Sequence, residues 1–129
     1  MPARRRDPAT AGTAVRAAVE PVLGWLDGAD DQPPRPVLAA AVRVSLRTFA
    51  ELHPGRAVEV RVPPFAAIQC LPGHTHTRGN PPYVVETDAL GWLSLVTGRL
   101  TWDDALAGDR VKASGHRTGE IGPLLPMRY

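Results

Sequence analysis

The chain has 129 residues, which suits one domain built on one core. Its 43% hydrophobic and 22% charged residues exclude disorder as a description of the whole chain, and a lone cysteine, Cys70, excludes an internal disulfide. A net charge of +2, with no basic face interleaved with aromatics, excludes a dedicated nucleic-acid binder.

Residues 1–9 read as a flexible basic tail, with Arg4-Arg5-Arg6 as its dense run and solvation as its simplest fate. A single domain is expected over 10–129. No stretch nears the roughly 20 apolar residues of a membrane helix. Arg16 and Glu20 interrupt the apolar run that a signal peptide would need, so a cytoplasmic protein is expected.

Asp7 and Pro8 open the first helix, since Asp accepts from orphan amides and Pro at the first position loses no bond. Val15, Ala18, Val19, Val22, Leu23 and Leu26 follow at helical spacing. Pro21 lies inside this pattern and should kink or split the helix near Glu20. After a proline-rich linker over 30–36, Pro36 opens a second helix. Leu38, Ala41, Val42, Ser45, Phe49 and Leu52 form its stripe, and Pro54-Gly55 stops it.

The period then changes to two. Val58, Val60 and Val62 alternate with Glu59 and Arg61, as a half-buried strand requires. Residues 65–71 read as a second strand, an antiparallel neighbour beyond Pro63-Pro64. The stretch 72–82 is a loop, and 83–86 a third strand. Asp88 caps a helix carrying Leu90, Trp92, Leu93 and Val96, closed by Gly98. Thr101 caps another, with Asp104 three residues on, Trp102 and Leu106 as its apolar residues and Gly108 at its end. A last strand over 110–114 precedes a tail with one helical turn. This order predicts an α+β domain, a mostly antiparallel sheet covered on one face by helices.

Few residue sets carry chemistry. His74 and His76, with Cys70 four residues before His74, make a three-ligand set for a metal, one short of a structural zinc site. A polar loop is the simpler reading, and no metal or other cofactor is expected. Arg78 faces Glu86 and Asp88 across the turn and reads as a bridge closing the loop. Its functional alternative is that His76 and Arg78 hold an anionic head group at a cavity mouth. Cys70, in an apolar strand, reads as a buried thiol rather than a nucleophile. No G-x-S-x-G and no glycine-rich phosphate loop occurs. Asp103-Asp104 suit a helix N-terminus without further purpose.

Taken together, Val85-Glu86-Thr87-Asp88, Trp92-Leu93, the run from Thr97-Gly98 through Trp102 to Ala105-Leu106, and Val111-Lys112-Ala113-Ser114-Gly115 resemble the C-terminal half of the sterol-carrier-protein family. His76-Thr77-Arg78-Gly79 through Pro81-Pro82 to Asp88 is similar to its bacterial, actinobacterial-type branch. The resemblance covers 35–126. It implies a sheet of about five strands with helices on one face and an apolar tunnel between them. Family members bind or transfer sterols, fatty acids and acyl thioesters without turnover. Related domains are appended to thiol-dependent isomerases and acetyltransferases. The Pro63-Pro64 interruption and the His-rich loop depart from the eukaryotic lipid carriers.

On this reading the cavity is lined by Leu38, Val42, Phe49, Val60, Trp92, Leu93, Val96 and Leu106, with His76 and Arg78 at a polar rim. The expected ligand is a lipid or other apolar small molecule. Two rivals stand beside it. One is a closed-core domain that meets another protein, or a second copy, through an exposed face. The other is an enzyme using His74 and His76 with a metal, or Cys70 as a thiol.

Overall fold

A computed structural model describes residues 7–73 and 83–129. Helix α1, Pro8–Val19, starts where Asp7 accepts the Thr10 amide at 2.9 Å. Pro21 lacks the amide that would continue it, so the chain tightens into a 3₁₀ turn, Glu20–Val22, before the short α2, Leu23–Leu26. Val15, Val19 and Val22 face inward throughout. Helix α3, Arg35–Leu52, begins one residue earlier than Pro36, with Pro36 inside its first turn.

Strand β1, Val58–Val62, buries Val58, Val60 and Val62 and turns Arg61 outward, as its alternation requires. Strand β2 is Ala66–Cys70 and β3 is Tyr83–Thr87. Helix α4, Ala89–Val96, follows Asp88, whose carboxylate accepts the Gly91 amide at 2.7 Å. Thr101 caps α5, Trp102–Ala107, by accepting from the Asp104 amide at 3.1 Å. Strand β4, Val111–Ser114, leads into a 3₁₀ segment, His116–Leu124.

The sheet order is β2-β1-β3-β4. Two expectations are corrected here. Among the described residues the sheet has four strands, not about five. It is also mixed, because the central pair β1 and β3 is parallel while β1–β2 and β3–β4 are antiparallel. Residues 63–82 supply the long connection that parallel neighbours need, with β2 folded back on the way as the edge strand. Residue patterning marks strands but not their partners, so this crossover was invisible. The expected single turn in the tail is also longer, nine residues of 3₁₀. Arg117 holds it by bonding both Glu120, at 2.7 Å, and the Pro72 carbonyl, at 2.8 Å.

Register decides the faces. Val60 lies opposite Ile68 and Val85, so these three share the face beneath the helices. Arg61 lies opposite Ala67 and Glu86, and Glu86 opposite Lys112, on the outer face. Helix α3 packs on β2, α1 and α4, and the core forms between the helices and the Val58 to Val62 side of the sheet. Gly98, at φ 81°, ends α4 and lets the Arg99 amide reach the Ser94 carbonyl at 2.8 Å. The chain then returns, and the Met127 amide bonds the Val96 carbonyl at 3.0 Å.

Gly91 lets α4 sit down on the end of β3: a Cβ there would overlap Thr87 Oγ1. Gly91→Ala should therefore cost about 1–3 kcal/mol through overpacking. Gly119→Ala, where a Cβ meets nothing within 4 Å, should be near neutral. Thermal melts of the two variants check this.

Candidate functional site

The stripe residues converge. Leu38, Val42, Phe49, Val60, Trp92, Leu93 and Val96 lie in one core, none more than 4% exposed. Leu106 does not join them; it is 40% exposed. Helix α5 buries Ala105, and the next residue is turned about 100° away from it, into solvent. His74, His76 and Arg78 lie outside the described residues, and with them the expected rim. Asp88, the expected partner of Arg78, caps α4 and stands 3.4 Å from Arg110. Cys70 is fully buried, and desolvation pushes its thiol up to about 12, so it stays protonated. Among the described residues no three His, Cys, Asp or Glu side chains gather as metal ligands.

One polar contact sits inside this core. The Trp92 indole Nε1–H donates to Ser45 Oγ at 2.9 Å, and Ser45 Oγ–H donates to the Ala41 carbonyl at 2.7 Å. The serine on the apolar stripe of α3 thereby satisfies the one polar atom of the bulkiest core side chain. Phe49 meets Trp92 edge-on, with centroids 5.6 Å apart and planes at 86°.

On its other side Phe49 meets the His53 ring, at 4.8 Å and 55°. His53 borders a cleft of about 400 Å³ between the start of α1, the end of α3 and the returning segment. Leu52, Leu124 and Met127 supply much of its apolar wall, and Arg128 is the cation among its lining residues. Leu52 is 42% exposed, a large apolar side chain left open at the mouth. Desolvation holds the His53 imidazole below its ordinary 6.5, so the cleft wall is uncharged there at neutral pH.

A second cleft, also about 400 Å³, lies between the start of α3 and Phe65. Leu38 reaches it, beside Trp25, Arg35 and Asp88. The sequence offered a signal for the first cleft in Leu52, the last residue of the α3 stripe, and in the apolar run 124–127. The approach of that run to His53 depends on the returning chain and had no local signature.

Two tests follow. Ser45→Ala strands the buried indole N–H and should cost about 1–3 kcal/mol, read as a lower urea midpoint with an unchanged slope. The His53 effect has a definite sign. Its folded pKa is lowered, so on acidification the unfolded chain takes the proton first. Stability is complete above about pH 6.5 and declines as the pH falls toward the folded pKa. Melting temperatures should drop between about pH 7 and 5, and His53→Gln should flatten that fall. The carboxylates of Asp7, Asp27 and Glu120, lowered by bonds from Thr10, Arg99 and Arg117, act at lower pH.

No curated protein matches the chain. A family model described as "Bacterial SCP ortholog" matches residues 34–127. The match opens on Pro34, the residue before α3, and closes on Met127, which ties the returning chain to α4. It therefore takes in the whole sheet, α3 to α5 and most of the cleft. By that match the chain belongs to the bacterial family related to the sterol carrier proteins.

Proposed function

We propose that this domain binds an apolar ligand, a sterol, a fatty acid or an acyl thioester, and carries it without chemical turnover. Membership of the sterol-carrier-like family supports lipid binding in general. The observation that carries the finer reading is the apolar cleft closed at one side by His53 and open at Leu52. Its volume lies within the roughly 300–1,000 Å³ of small-molecule sites. Each methylene buried there gains about 0.8 kcal/mol, set against the entropy of binding.

In this reading the ligand enters between α1, α3 and the returning segment and points toward the seam between sheet and helices. Leu52, Leu124 and Met127 form the apolar wall it meets. Arg128 draws an anionic head group, and neutral His53 offers a hydrogen bond without a charge. The protonated state of Cys70 supports a carrier over a thiol enzyme. No helix of the described residues is long and apolar enough to cross a membrane.

One observation favours the rival reading of a closed-core interaction domain: the seven stripe residues of the interior are already packed against one another. Displacement of a fluorescent fatty acid from delipidated protein separates the two. Saturable binding, weakened at least about tenfold by Leu52→Glu, is expected, since a tenfold loss is a modest ~1.4 kcal/mol. Leu52 is exposed, so the variant should keep a cooperative melt. No binding by folded wild-type protein, or binding untouched by Leu52→Glu, would overturn the proposal.

A further inference from the structure

The two edges of the sheet differ. Strand β4 carries Lys112 within its length, a charge that discourages the addition of another strand. Strand β2, Ala-Ala-Ile-Gln-Cys, carries none. It pairs with β1 and with no other strand among the described residues. Ala67 is exposed, and Ala66, Ile68 and Gln69 are half-buried. The outer row of backbone N–H and C=O groups over 66–69 makes no hydrogen bond to described backbone. An uncharged edge with an open polar row is a template for one more strand.

Three arginines surround this edge. From α3, Arg43 donates its Nε–H to the Phe65 carbonyl at 3.1 Å. The Arg35 guanidinium stands 5.4 Å from the centre of the Phe65 ring. At the far end, Arg56 donates to Gln69 Oε1 at 3.1 Å. None of the three has a carboxylate within ion-pair distance among the described residues. Glu59, the acid nearest in register, is taken by Arg61.

We propose that the β2 edge is a docking site for an extended acidic segment of a partner protein, added to the sheet as a further strand. Main-chain bonds to 66–69 would supply the pairing, and Asp or Glu side chains would neutralise Arg35, Arg43 and Arg56. A second copy of this chain fits poorly. Two-fold pairing of β2 with itself brings the same arginines together, and like charges across a sheet repel. A phosphate surface would satisfy the guanidinium groups but leave the open backbone row unpaired. An extended acidic chain satisfies both.

The test uses the full chain and a fluorescent peptide of alternating Glu and Val, about ten residues long, in about 0.05 M salt. Saturable binding is expected. It should fall about tenfold or more in roughly 0.5 M salt, and likewise with the double variant R43E/R56E. Amide exchange should slow at 66–69. Two control peptides require no change in the protein: one of alternating Lys and Val, and the Glu–Val peptide N-methylated at alternate residues. Both should fail to bind. The proposal is overturned if the Glu–Val peptide does not bind or if either control binds equally. Protection away from 66–69, or self-association of the protein through this edge, would overturn it as well. If R43E/R56E fails to fold, the N-methylated control decides on wild-type protein.

Discussion

The hydrogen bond from Trp92 to Ser45 ties α4 to α3 across the middle of the core, and the rest of the packing is arranged around it. A tryptophan brings the largest apolar surface a side chain can bury, together with an N–H that must not be left unpaired. Ser45 accepts it from within the apolar stripe of α3 and donates its own proton to the Ala41 carbonyl. Phe49, one turn further along α3, then meets the same indole edge-on. Two helices far apart in sequence are thereby fixed over β1, whose Val58, Val60 and Val62 complete the interior. No side-chain nitrogen or oxygen buried among the described residues lacks a partner.

From that clamp the outer parts follow. Gly91 lets α4 approach the end of β3, and Gly98 turns the chain out of α4. The chain comes back as 123–128 and is pinned to α4 by the bond from Met127 to Val96. The cleft at His53 lies where this returning chain meets the ends of α1 and α3. It is a junction of three segments, so its shape depends on the core being in place before it.

Much of this was legible locally. The caps at Asp7, Asp88 and Thr101, the break at Pro21, and the alternation of β1 rest on contacts within a few residues. The stripe of α3 also marked which residues meet inside. What was not legible depends on distant partners. Pairing of β1 with β3 in parallel is a choice between strands of equal patterning. Leu106 looked like a core residue because it is apolar, yet a six-residue helix has room to bury little beyond Ala105. The cleft was missed for a similar reason: Leu52 and Met127 are neighbours through the fold and not along the chain. Ser45 was on the stripe from the start, but its role needed Trp92 opposite it.

The central claim concerns the cleft between α1, α3 and the returning segment as the seat of an apolar ligand. It is tested most directly by nuclear Overhauser contacts between a ¹³C-labelled fatty acid and the methyl groups of the delipidated protein. The expected result is contacts from the acyl chain to Leu52, Leu124 and Met127. Contacts confined to other surfaces, or none at ligand saturation, would contradict it and leave the filled interior as that of an interaction domain.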